Sequence, residues 1–325
     1  MGLFNKKSKN NKGQEYGAVP EQNNNSEDNN SMEQNQENNN QNETYEERPG
    51  GPFVIHLFME KSCAMPDKDT MTAIMEKHLG DVDCFCHDEK MAGFAPQKYV
   101  ANFKDGSMPP QLMVTECIST QDFKLDEITL SQMWDCPESR EILDRCKYNV
   151  IAVDMLAGAM ENYKERADML MDFTEALMEM FPECEAVLFQ SSGKMFTREK
   201  VINHQVPNEH RFIYFAVNVR LFNIQGTDDM VIDTLGMSTL YLPDLQYHFH
   251  GMDPNWVVNH AYNLLTYIYD NNAPIKNDET IDGIADGHIS GDIYWKCHYE
   301  DSLISPTRLV MDVCMNEYAA GNREY

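Results

Sequence analysis

Apolar and polar residues alternate along Phe212 to Ile224. Ile213, Phe215, Val217, Val219 and Leu221 share one face, and Phe212, Tyr214, Ala216, Asn218 and Arg220 share the other. The pattern predicts a long β-strand with one face that begins apolar and turns polar. Gln225-Gly226-Thr227-Asp228 supplies a turn, and folding there sets Arg220 opposite Asp233 in a hairpin. A shielded guanidinium and carboxylate at that distance form a charge-assisted contact. Such a pair either holds the hairpin together or stands at a cleft.

From Pro243 to His250 the period is again two. Asp244, Gln246, His248 and His250 lie on one face, and Leu245, Tyr247 and Phe249 on the other. Asp253-Pro254 then opens a helix, with Asp as N-cap and Pro at the first turn. Its stripe of Trp256, Val257, His260, Ala261, Leu264, Leu265 and Ile268 faces a core, so His260 reads as a core histidine.

Upstream, strands are expected at Phe53–Met59, Val82–Cys86, Phe94–Phe103, Leu112–Ser119, Tyr148–Met155 and Ala186–Gln190. Helices are expected at Pro66–Leu79 (stopped by Gly80), in two short pieces within Asp126–Cys146 broken at Cys136-Pro137, at Met160–Phe181, and after the cap Thr197. Ile293–Tyr299 and Leu309–Cys314 read as closing strands. The fold class is therefore α+β: mixed, largely antiparallel sheets with helices packed on their faces. The order strand, helix, strand, strand, strand occurs twice, which divides the chain into α+β halves at 53–146 and 147–318, with a short tail at 319–325. Residues 1–52 are rich in Asn, Gln and Glu, a composition with too little apolar surface to offset ordering entropy.

Charge narrows the partners. The net charge of the 325 residues is −27. Residues 1–52 hold 5 basic and 9 acidic groups, which leaves 21 and 44 in the remainder, a net −23. The folded part carries the acidity and repels phosphate backbones and anionic lipid, so neither nucleic acid nor membrane is an expected partner. A protein partner with a basic surface fits such a body. Nine scattered cysteines without a CxxC motif read as reduced thiols in a cytoplasmic protein. Cys84, Cys86 and His87 lack the second pair of a zinc site, and His248, His250 and His260 lack HExxH spacing, so no metal or other cofactor is expected.

Trp134-Asp135-Cys136-Pro137-Glu138, Asn218-Val219-Arg220-Leu221, Asp233-Thr234-Leu235-Gly236, Leu242-Pro243-Asp244-Leu245-Gln246 and Gly251-Met252-Asp253-Pro254 occur in this order. In that pattern the chain resembles the family catalogued as domain of unknown function 4261 over about Phe53 to Val313, most strongly from Arg211 to Ile284. The resemblance implies a bacterial cytoplasmic protein, with secretion or toxin–immunity loci as a setting, and carries over no catalytic residue. The chain shows no phosphate loop, dinucleotide fingerprint or nucleophile elbow. The leading expectation is a non-catalytic interaction or immunity-type module. The alternative is an enzyme or small-ligand sensor with a polar cleft at Asn218, Arg220, Asp233, Asp244, Gln246, His248 and His250.

Overall fold

The computed structural model describes residues 52–321. The tail up to Gly51 and the last four residues of the C-terminal tail lie outside the described residues. The chain opens with β1 (Val54–Met59), α1 (Lys68–Leu79), β2 (Val82–His87), β3 (Met91–Pro96) and the small hairpin β4 (Ala101–Phe103) and β5 (Gly106–Met108). It continues through β6 (Gln111–Thr115), β7 (Ile118–Ser119), α2 (Glu127–Ser131), α3 (Ser139–Arg145), β8 (Tyr148–Met155), α4 (Tyr163–Met180), β9 (Ala186–Phe189), β10 (Lys194–Thr197) and α5 (Arg198–Ile202). Then follow α6 (Arg211–Ala216), β11 (Asn218–Asn223), β12 (Met230–Leu235), β13 (Asp244–Phe249), α7 (Pro254–Asn271), β14 (Thr280–Ala285), β15 (His288–Asp301) and β16 (Leu309–Cys314).

The first sheet runs β10-β9-β1-β8-β6-β3-β2, with β7 also on β8, and all its pairings are antiparallel. β1 shows why it is covered on both faces. Ile55, Leu57 and Met59 enter the main core with α1 and α4, while Phe58 joins Met133, Cys136, Ile142 and Cys146 of the α2–α3 region. The helices start where short polar side chains take up free backbone N–H groups. Asp67 accepts from Thr70, Asn162 from Lys164 and Glu165, and Asp253 from Asn255.

The second sheet runs β11-β12-β13-β16-β15-β14. Its pairings are antiparallel except β13 with β16, which is parallel. α7 packs on one face through Val257, Ala261, Leu264, Leu265 and Ile268, and these residues share one apolar cluster with α1, α4 and α6. The first sheet extends through Thr197, so the change of sheet falls between Thr197 and Asn218.

Three local expectations are corrected. The strand over Phe212 to Ile224 exists only from Asn218 onward, and Arg211–Ala216 is a helix. Phe212, Ile213, Phe215 and Ala216 are buried and Tyr214 is exposed, a helical spacing that a uniformly apolar run also allows. Distant partners select the helix: Arg211 bonds Asp172 and Glu175 of α4, and the Lys194 ammonium donates to the carbonyls of Tyr214 and Val217 at 2.6 and 3.0 Å. The strand expected over Phe94–Phe103 ends at Pro96 and begins earlier, at Met91. β14, with an irregular register at Asp282-Gly283, had no counterpart among the expected strands.

Candidate functional site

The polar face of the second sheet is built by register. Arg220 pairs with Asp233, Asp233 with Gln246, Gln246 with Asp312, and Asp312 with His298, so one polar row crosses five strands. The hairpin turn at 225–228 is present, with Gly226 at φ 87° and Ile224 N–H bonded to Asp229 O. Arg220 grips Asp233 in a fork, Nε to Oδ1 at 2.9 Å and Nη2 to Oδ2 at 2.5 Å.

Arg308, just before β16, completes the cluster. Its Nη2 lies 2.8 Å from Asp233 Oδ2 and also donates to Thr234 O, and its Nε lies 3.3 Å from Asp244 Oδ2. Asp244 Oδ1 accepts from the Thr234 hydroxyl at 3.0 Å and from Met237 N–H at 3.2 Å. Two arginines and two aspartates thus neutralise one another, with Asp233 and Asp244 buried. Burial pushes the Asp244 carboxyl up, against the opposing pull of Arg308.

The β15–β16 loop closes over this row. Leu303 N–H donates to Gln246 Oε1 at 2.7 Å, Arg220 Nη1 to Ser305 O at 3.2 Å, and Arg308 Nη1 to Pro306 O at 2.9 Å. Gln246 Nε2 also reaches Glu300 at 2.7 Å and Asp312 at 3.0 Å. Four of the expected residues, Arg220, Asp233, Asp244 and Gln246, therefore come together. Asn218 turns toward the first sheet, donating to Gln132 O at 3.4 Å and Ser192 O at 3.3 Å. His248 and His250 flank Asp229 at the far end, each 3.8 Å from its carboxylate. Arg308 was missed because its loop is 75 residues from Asp233. The available signal was a deficit of charge, two aspartates on a buried face with one arginine.

His260 is a core residue. Its Nε2 lies 2.9 Å from the Asp282 carbonyl, which only accepts, so Nε2 carries the proton and Nδ1 takes the Tyr247 hydroxyl at 3.0 Å. Burial lowers its pKa to about 4, against the Asp282 hydrogen bond. Among the described residues no group of three His, Cys, Asp or Glu side chains is placed to hold a metal ion. Clefts open beside α5, α4, Tyr241 and Phe123, and none of these is lined by Arg220, Asp233, Asp244 or Gln246.

A second charged feature lies on α4. Glu165, Asp168, Asp172, Glu175 and Glu179 recur every three or four residues along the helix and so form one stripe, with Glu161 just before the helix and Glu183 just beyond it. Arg211 holds Asp172 at 2.8 Å and Glu175 at 2.6 Å, and Lys77 holds Glu179 at 2.6 Å. Glu165, Asp168 and Glu183 form no ion pair among the described residues. Burial pushes the Asp168 carboxyl up, and nearby Asp172 and Glu165 add to that while Arg211 and Lys98 oppose it.

These features define an α+β protein with a self-neutralised charge cluster inside its second sheet. Over residues 233–314 the chain matches the family model described as Domain of unknown function (DUF4261). That stretch spans β12 to β16 and contains Asp233, Asp244, Gln246 and Arg308, while Arg220 and the earlier motifs lie outside it. Neither a curated protein nor a solved structure matches the chain.

Proposed function

We propose that this protein is a non-catalytic binding module for a protein partner with a basic surface. The observation that carries this reading is the run of carboxylates along α4 and just past it, in which Glu165, Asp168 and Glu183 form no ion pair among the described residues. The overall charge of −27 extends the same field and steers a basic partner toward the surface. The polar cluster supports the reading from the other side. A general base needs a free lone pair facing its substrate, whereas both oxygens of Asp233 are taken by arginines and the face is covered. An enzyme or ligand sensor at Arg220, Asp233, Asp244 and His248 therefore has less support.

A cytoplasmic setting accompanies the proposal, supported by nine cysteines that are all free thiols. No helix among the described residues is long and apolar enough to cross a membrane. Charge reversal of the unpaired acids, Glu165→Lys with Asp168→Lys and Glu183→Lys, tests the reading. Tagged protein recovered from its native cells carries a stoichiometric basic partner, and the triple variant loses it. Absence of such a partner on the unmodified protein overturns the proposal.

A further inference from the structure

The first sheet is covered unevenly. α1 and α4 pack on the face that carries Leu57, Phe94, Leu112 and Val114, all members of the main apolar cluster. The α2–α3 region covers the opposite face at β1 and β9, through Phe58, Ala186 and Leu188. The rest of that opposite face is open among the described residues. One row crosses five strands by register: Val54 pairs with Val153, Val153 with Met113, Met113 with Gly93, and Gly93 with Cys86. Beside it Met91 pairs with Thr115, whose hydroxyl accepts from Ile151 N–H. Val54, Met113, Ile151 and Val153 belong to neither buried cluster. Phe85, Met91 and Met155 at the margins are 42%, 42% and 47% exposed.

This face is even and uncharged. A bulge between Cys84 and Cys86 turns the Phe85 ring over Gly93, where an added Cβ would lie 2.5 Å from Phe85 Cζ. The ring thus fills the gap that the glycine leaves in the row. The strands β3 and β6 hold no acid and no base, and the one acid of β8, Asp154, turns to the core. In a chain with a net charge of −27, that absence selects the occupant. A basic partner gains nothing from a neutral surface. An acidic body is repelled by anionic lipid. Two copies of the chain repel each other through their charges, and least where charge is missing. We infer that this open face pairs with the same face of a second copy, about a two-fold axis.

The dimensions set the strength of the contact. From β2 across to β1 the face measures roughly 19 Å, and along the strands roughly 17 Å, about 320 Å² in projection. That matches the apolar patches that carry function on single chains. Two such faces form a small interface, of the size that serves transient rather than obligate pairing. Sheets stack face to face at about 10 Å with their strands within about 30° of each other, so Met113 and Val153 of each copy meet at the centre. The pairing is independent of the reading of α4. α4 lies on the other side of the first sheet, and its carboxylates stay exposed in the pair.

Sedimentation of the full-length chain tests this over roughly 10 µM to 1 mM, a range that spans weak association. The apparent mass is expected to rise toward that of two chains. Met113→Glu at the centre of the face is expected to weaken the association at least tenfold. Met91→Glu, at a margin where a carboxylate reaches water without unfolding the sheet, weakens it at least threefold. Asp168→Lys on α4 leaves it in place. Added sodium chloride strengthens the pairing, because it screens the repulsion between two acidic bodies and leaves the apolar contact intact. A constant single-chain mass overturns the inference, as does association that both glutamate variants keep or that salt dissolves. A different protein recovered from native cells, lost on Met113→Glu while the pure chain stays single, assigns the face to that protein and overturns it too. Flotation of the chain with phosphatidylcholine vesicles that Met113→Glu abolishes assigns it to a membrane and does the same. Each of these results leaves the basic-partner surface of α4 untouched, since its own test is the triple charge reversal.

Discussion

Arg308 lies 2.8 Å from Asp233, a carboxylate 75 residues earlier in the chain that Arg220 already grips with both ends of its fork. One aspartate thus anchors two arginines from separate parts of the second sheet. Arg308 reaches on to Asp244, which ties β12, β13 and the start of β16 into one electrostatic unit.

Removing Arg308 strips the buried Asp244 of its one ion-pair partner among the described residues. Breaking such a pair costs about 3–5 kcal/mol. Arg308→Met is expected to lower the unfolding free energy by about 3 kcal/mol in urea denaturation at pH 7. Adding Asp244→Asn is expected to recover part of the loss. A midpoint that does not move for Arg308→Met counts against the cluster as a structural lock.

The same variant has a predicted pH signature. Burial raises the Asp244 carboxyl in the folded state, so folding favours its protonated form over that of the unfolded chain. Its charge therefore subtracts from stability as pH rises above the ordinary carboxylate range. With Arg308 gone the largest opposing pull is lost and only the hydrogen bonds from Thr234 and Met237 remain, so the deficit of Arg308→Met shrinks as pH falls from 7 toward 4. Urea midpoints of both proteins across that range provide the check, and a constant deficit contradicts the assignment.

His260 acts in the opposite direction. Its folded pKa of about 4 lies below the ordinary 6.5, so the unfolded chain takes up the proton first and stability declines as pH drops from 6.5 toward 4. At about 1.4 kcal/mol per pH unit the loss reaches about 3 kcal/mol by pH 4. Carbon-13 shifts of the labelled imidazole are expected to report a neutral ring at pH 5.5, with Nε2 as the protonated nitrogen. A ring that titrates near 6.5 refutes the prediction.

Gly236 is required by its backbone. It adopts φ 133°, and a Cβ there would lie 2.3 Å from the carbonyl oxygen of Ala216. Gly236→Ala is expected to destabilise by about 3 kcal/mol or more. Thermal melting shows it as a drop in Tm much larger than that of Gly226→Ala, where nothing stands within 4 Å of the added carbon.

Lys194→Met leaves the carbonyls of Tyr214 and Val217 without the ammonium that joins them. The expected cost is about 1–3 kcal/mol, with hydrogen exchange accelerated at the amides of Asn218 and its neighbours. Unchanged protection there shows that α6 ends without help from Lys194.

Local patterning made much of this fold legible. The period of two in Asn218–Asn223 and Asp244–Phe249 sets Arg220, Asp233 and Gln246 on one face, and the caps Thr197 and Asp253 mark helix starts. Arg211–Ala216 was not legible, because five successive apolar residues fit either period and the deciding contacts, to Asp172, Glu175 and Lys194, lie 20 to 39 residues away. The parallel alignment of β13 with β16 was equally hidden, since nothing in Leu309–Cys314 encodes which edge it will join. Arg308 depends on that alignment, and so the candidate site was half visible: its aspartates and first arginine, without the loop that closes it.

The position of β16 between β13 and β15 has a consequence for biosynthesis. As the nascent chain leaves the ribosome, β13 emerges some 60 residues before the strand that must pair with its open edge. Until Leu309–Cys314 appears, that edge and the aspartates beside it stand uncovered and are available to chaperones or to stray strands. Translation arrested anywhere short of Arg308 therefore yields a polypeptide with a finished first sheet and a gap in the middle of the second, a species that quality-control proteases can recognise.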